Sequence, residues 1–248
     1  MKSISLAACT LLALGLAGPA TAQVLLEPAP VIPAGALVLE HSTEYSHARS
    51  HARENTSAWS TPGFLLRVGL PYAELLTGST FVQENTTLPG GGSLHQQGWT
   101  DVFLGAKVPV LAEETGPLSA SLWAAAVLPV GSPDVRPTHV TSEVYLLLER
   151  TFAGVWTLDA NLGGSYHRAE GATWAVSGAL IRALGDRLAL YAEVLGEQAP
   201  EAAAWTGGLG ISLSPLPTLH LDLAGGRSLN GPTRAYYAGA VLALDLIH

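Results

Sequence analysis

The chain is short of cysteine, of bases and of long apolar runs, and each shortage removes a class of explanation. Its one cysteine is Cys9. If that residue leaves with a signal segment, no disulfide framework, thiol nucleophile or thiolate metal site is available. Lysine and arginine total 12 against 20 acids, a formal net charge of −8. That balance argues against nucleic acid as a partner. After Ala22 no run of about 18 apolar residues occurs, which excludes a membrane-spanning helix. Yet 48% of residues are hydrophobic and only 13% charged. An apolar chain without a long apolar run suits a closed transmembrane β-barrel, which spreads its lipid-facing residues over alternate positions of many strands.

The N-terminus points to export. Lys2 is followed by the apolar stretch Ile4 to Ala17, and Ala20-Thr21-Ala22 supplies a small-x-small cleavage pattern. The expectation is a signal peptide over 1–22, cut before Gln23. Leu6-Ala7-Ala8-Cys9 resembles a lipoprotein box but precedes the apolar core, so no lipid anchor is expected. Residues 23–35 form a proline-rich periplasmic lead, and 36–248 the barrel.

Alternation with a period of two carries the fold. In the segment from Trp156 to His167, Trp156, Leu158, Ala160, Leu162, Gly164 and Tyr166 occupy one face. Thr157, Asp159, Asn161, Gly163, Ser165 and His167 occupy the other. Successive strand side chains point to opposite faces, so one face suits lipid and one suits water. A 3.6-residue period would mix the sets. Around Trp99 to Val108 the pattern places Thr100, Val102 and Leu104 outward and Trp99, Asp101, Phe103 and Lys107 inward. Leu188–Val194, Leu219–Ala224 and Tyr236–Leu246 alternate similarly.

The expected fold is all-β: a closed antiparallel up-and-down barrel of about twelve strands. They run over 36–46, 58–70, 74–84, 98–111, 117–129, 139–151, 155–168, 172–183, 187–197, 203–213, 218–228 and 233–247. Even-numbered connections are short turns, while the polar stretches 47–57, 85–97 and 130–138 read as long loops on the opposite side. That asymmetry puts both termini in the periplasm. Tyr166, Trp174, Trp205 and Tyr236 lie on the outward parity near the loop end, and Trp156 near the turn end. They are the candidate membrane-interface girdle. Arg150, Arg182 and Arg227 break the outward parity only at strand ends, where a base is tolerated. The chain finishes Leu244-Asp245-Leu246-Ile247-His248. Many barrels instead finish on an aromatic residue that the barrel-insertion machinery recognises.

Three stretches resemble a known family. Thr61-Pro62-Gly63-Phe64-Leu65-Leu66-Arg67-Val68-Gly69-Leu70 resembles the second-strand motif of a family described as transporters of the meta pathway of phenol degradation. Gly98-Trp99-Thr100-Asp101-Val102-Phe103-Leu104-Gly105-Ala106-Lys107 resembles its glycine, aspartate, leucine-glycine-x-lysine strand. Leu219 to Leu246, with Leu221-Asp222-Leu223-Ala224-Gly225-Gly226 and Leu229-Asn230, resembles its last hairpin. The resemblance implies an outer-membrane barrel that moves small, often aromatic or hydrophobic, compounds. It implies no catalytic residues.

The inward parity carries Glu40, Glu44, Arg67, Asp101, Lys107, Glu143, Glu149, Asp159, Glu193, Asp222 and Asp245. These are the candidate lumen-lining residues. They read either as an acidic path favouring cations and neutral solutes or as polar groups that pair and solvate a narrow core. The tandem Ser-His-Ala-Arg at 46–53 offers His47 and His51, but Arg49 and Arg53 repel a cation, so no metal is expected. Asn55-Thr56-Ser57 and Asn85-Thr86-Thr87 read as ordinary loop residues in a bacterial context. His139, His167 and His220 could serve a hydrolase, placed near the outer rim, but no Gly-x-Ser-x-Gly elbow accompanies them. No catalytic residue and no cofactor is expected. The expected function is passive passage of small neutral or hydrophobic compounds, with outer-membrane lipids and the insertion machinery as partners. A structural protein, a lipid-modifying barrel enzyme and a soluble periplasmic β-barrel binder are the alternatives.

Overall fold

A computed structural model describes residues 27–50, 54–111, 118–135, 139–168, 171–198, 203–230 and 233–247. The signal segment 1–22, its cut before Gln23, His51, Arg53 and His248 lie outside the described residues.

The strands are β1 (Leu37–Ser50), β2 (Asn55–Leu70), β3 (Ala73–Thr87), β4 (Ser93–Trp99), β5 (Val102–Leu111), β6 (Ser119–Leu128) and β7 (Thr141–Phe152). They continue as β8 (Trp156–His167), β9 (Gly171–Ala183), β10 (Leu188–Gln198), β11 (Ala203–Leu216), β12 (Leu219–Ser228) and β13 (Thr233–Ile247). Neighbours pair antiparallel, and β1 pairs with both β2 and β13, so the sheet closes. β4 pairs with β3 from Phe81 to Thr87, and β5 pairs with β3 from Glu74 to Gly78. The two are halves of one wall position, so the 13 strands make a twelve-strand meander with one position broken.

The outer face is the apolar one. Leu190 is 45% exposed, Leu162 58% and Leu209 69%, while their neighbours Tyr191 and Asn161 are buried. In water such exposure would be costly. Against lipid it is the required surface.

The register slips where the alternation slips. Between Ser60 and Gly63, β2 has one more residue than β1 or β3 provides, and Trp59 and Phe64 both end outside. Pro62 has no N–H to give to a ladder, so this is where a bulge costs least. A second slip separates β4 from β5. Thr100 Oγ1 accepts a bond from Thr80 N at 3.0 Å, and Thr100 N donates to Thr80 O at 2.7 Å. This bulge corrects the assignment of Trp99 and Thr100. Trp99 lies outside, its ring 5.7 Å from Phe81 and 6.4 Å from Phe64, and Thr100 is buried. One inserted residue inverts every side chain beyond it.

Two expected loops are mostly strand. β1 and β2 stay paired from Arg49 with Asn55 inward, and β3 and β4 from Thr87 with Ser93. Backbone pairing needs no apolar face above the membrane, so polar composition there masked the strands. The segment after β6 does not pair as strand. Ser132 N donates to Trp99 O at 2.8 Å and Gly131 N to Asp101 Oδ1 at 2.8 Å, closing the wall beside β4. At the opposite end the β7–β8 turn takes Ala153 (φ 49°) and Gly154 (φ 71°) through the left-handed region that tight hairpins use.

Candidate functional site

The lead begins the site. Residues 27–36 enter the turn end of the barrel and lie against its inner wall. Gly35 N donates to Gly69 O, and Gly69 N to Ala36 O, both at 2.9 Å. A side chain at Gly69 would collide with the Pro33 carbonyl, so a glycine there lets the lead seat. Ala29 is buried with Leu65, Leu76, Trp123 and Leu147, and Ser121 Oγ donates to its carbonyl at 2.6 Å.

Five charged side chains meet at this end. Arg67 donates from Nη2 to Glu27 at 2.7 Å, from Nη1 to Glu40 at 2.9 Å and from Nε to Glu74 at 2.5 Å. Lys107 Nζ lies 2.6 Å from Glu27 Oε1 and 3.1 Å from Glu74 Oε2. Lys107 has no exposed surface. Two buried cations demand carboxylates at hydrogen-bond distance, because an unpaired charge there costs several kcal/mol. Glu27 supplies one oxygen to both.

A second layer crosses the interior farther in. Tyr237 Oη donates to Glu193 Oε1 at 2.8 Å. Its ring lies where Cβ atoms of residues 208 and 226 would be, so glycines at those inward positions make room for it. Tyr191 and Ala224 pack beside it, and Asp222 is 1% exposed.

Every candidate lumen residue faces inward, but most are packed rather than wetted. Glu40, Arg67, Asp101, Lys107, Asp159, Glu193 and Asp222 are buried, whereas Glu44, Glu143, Glu149 and Asp245 are partly exposed. Sequence reasoning missed Glu27 and Glu74. Glu27 sits in the lead, where no periodicity marks it. Glu74 is flanked by outward Leu75 and inward Leu76, so its stretch shows no contrast between faces. Among the described residues, Arg67 and Lys107 are the only Lys or Arg facing inward. Arg150, Arg182 and Arg227 are exposed on the outer face.

The aromatic candidates Tyr166, Trp174, Trp205 and Tyr236 are exposed on the outside near the loop end. Trp156 lies near the turn end under the Arg182 guanidinium, 5.2 Å from its ring centre. Tyr45 and Trp59, 5.0 Å apart, extend the upper band.

The histidines divide. His139 and His167 stack at the loop end, 6.0 Å between ring centres. His220 lies at the turn end, not at the outer rim, because β12 starts there. Its Nδ1 is 2.9 Å from Ser214 Oγ and its Nε2 is 3.7 Å from Asp245 Oδ2. A serine hydrolase needs its acid bonded to the ring and N–H donors for an oxyanion. Here the acid is too far for a bond, and the neighbouring Pro215 and Pro217 have no N–H.

Several solved barrels share the fold. The COG4313 outer-membrane channel from Pseudomonas putida F1 superposes with a TM-score of 0.71 at 10% identity, covering 89% of this chain and 100% of that one. The translocator domain of the autotransporter NalP from Neisseria meningitidis gives 0.56 at 10% identity, over 84% and 88%. The CymD monoaromatic hydrocarbon channel gives 0.52 at 9% identity, over 87% and 90%. No curated protein matches the sequence. The family model described as "Putative MetA-pathway of phenol degradation" matches residues 36–246, nearly the whole described barrel, and this outer-membrane β-barrel chain belongs to that family.

Proposed function

We propose that the protein is a passive outer-membrane channel for small neutral or hydrophobic compounds, aromatic ones included. The observation that carries this reading is the polarity of the wall. Carboxylates with Tyr191 and Tyr237 face in, and leucines such as Leu162, Leu190 and Leu209 with the rim aromatics face out. Family membership and the likeness in fold to a monoaromatic hydrocarbon channel support it. Inward-facing acids outnumber the inward-facing Lys and Arg among the described residues, and those two bases, Arg67 and Lys107, are tied to Glu27, Glu40 and Glu74. Such a field disfavours anions and admits cations or neutral solutes. In the resting state the lead and the Tyr191–Tyr237 layer fill the path, so passage requires both to yield. The turn end then faces the periplasm, lipid covers the outer face, and the insertion machinery delivers the barrel.

Uptake of a panel of small aromatic compounds by cells with and without the protein tests the reading. Faster uptake of at least one neutral aromatic is expected. Unchanged uptake across the panel, together with outer-membrane fractionation of the protein, would overturn transport and leave a structural role. Recovery of the protein as a soluble monomer without detergent would instead favour a periplasmic binder.

A further inference from the structure

We infer that Arg67 and Lys107 form a carboxylate-binding site which the resting barrel fills with its own Glu27, and that a small organic carboxylate from the periplasm exchanges with it. The inference rests on the channel reading, since it makes the lead a stopper that a ligand releases.

The geometry is that of a ligand in a site. One oxygen of Glu27 receives Arg67 Nη2 at 2.7 Å and Lys107 Nζ at 2.6 Å, from donors on two different strands. A planar fork and a point charge converging on one carboxylate oxygen make strong charge-assisted bonds. Among the described lead residues, Glu27 supplies the carboxylate that enters them.

Charge determines what can replace it. With Glu27 seated, the cluster holds three carboxylates and two cations. With Glu27 withdrawn, Glu40 and Glu74 balance Arg67 and Lys107, but each cation loses a buried partner. One incoming monocarboxylate restores both bonds and the resting charge. A neutral solute restores neither.

The surroundings select the body behind the carboxylate. Pro28 and Ala29 follow Glu27 inward, and Ala29 packs with Leu65, Trp123 and Leu147. When the lead leaves, that apolar volume lies next to the two cations. A benzoate-like or short alkyl acid fits both halves. Apart from Glu27, the lead's described side-chain ties are those of Ser121 to Ala29 O, Lys107 to Pro28 O and Glu74 to Ile32 N. The cluster lies at the turn end, where the lead enters the barrel, so the ligand reaches the site from that end.

The test measures benzoate binding to the full-length exported protein in detergent, by calorimetry and by Trp fluorescence, with benzyl alcohol as the neutral control. Glu27→Gln, which weakens the internal ligand, should tighten benzoate binding at least about tenfold, equivalent to 1.4 kcal/mol. Benzyl alcohol should not gain. Lys107→Gln added to Glu27→Gln should abolish the gain. Should that double variant fail to fold, Ala29→Cys with Ser121→Cys serves instead. Its disulfide should block benzoate, and reduction should restore binding. An unchanged benzoate affinity in Glu27→Gln, or an equal gain for benzyl alcohol, overturns the inference. The two readings fail separately. A conducting barrel whose benzoate affinity ignores Glu27 sinks the site alone, and a silent barrel that binds benzoate as expected sinks the channel alone.

Discussion

Glu27 and Arg67 are 40 positions apart in sequence and meet at 2.7 Å inside the barrel. Arg67 is also the counterion of Glu40 and Glu74. Replacing Arg67 by Met leaves three buried carboxylates facing only Lys107. The variant should lose about 3–5 kcal/mol of stability, the usual cost of breaking a buried ion pair. Denaturant unfolding in lipid or detergent measures it, and a loss below about 1 kcal/mol would mean that water already screens the cluster.

The two faces of β10 should respond differently to charge. Leu190 points to lipid and Ala189 to the interior. Leu190→Arg should cost about 2–4 kcal/mol if it lies near the bilayer midplane, and Ala189→Arg clearly less. Equal penalties would contradict the register. Ala224 is a poor comparison, since it packs against Tyr191 and Tyr237 and has no room for an arginine.

The bulge between β4 and β5 can be read chemically, because the exported chain is expected to have no cysteine. Trp99→Cys should react readily with a thiol reagent from outside the barrel, and Thr100→Cys should be protected. The reverse pattern would restore unbroken alternation through residues 98–111.

Ion preference follows from the excess of acids on the inner face. In planar bilayers any conductance should favour cations, and Glu193→Gln with Asp222→Asn should reduce that preference. Raising the salt should blunt it, since the screening length is about 8 Å at 0.15 M and about 3 Å at 1 M. Anion preference in the unmodified barrel would show that Arg67 and Lys107 set the field.

Catalysis has a direct check at Ser214 and His220. Purified protein given ester, phospholipid and lipopolysaccharide substrates should turn over none of them. Turnover lost in His220→Ala would make the turn-end pair an active site despite the 3.7 Å between His220 and Asp245.

Much of the wall was legible in the residues. Leu158, Leu162 and Tyr166 against Asp159 and Asn161 announce a strand with lipid on one side, because a two-residue period ties side-chain polarity to side-chain direction. Seven of the expected strands begin and end within two residues of the observed ones. The missed strand ends at the loop side have one cause. Periodicity marks a strand only where its two sides meet different solvents. Above the membrane β1 to β4 have water on both sides, so residues 47–57 and 85–97 passed for loops.

What the sequence by itself determined is therefore local: the period, the turns, the outward aromatics and the acidity of the inner face. What only the tertiary structure decided is which inward groups meet. Glu27 reaches Arg67 and Lys107 because barrel closure brings β1, β2, β3 and β5 around one end and the lead folds back into it. Trp99 turns outward because β3 offers one residue fewer than β4 and β5 need. Both outcomes depend on pairing between distant strands, and alternation within one strand carries no information about its partner's register.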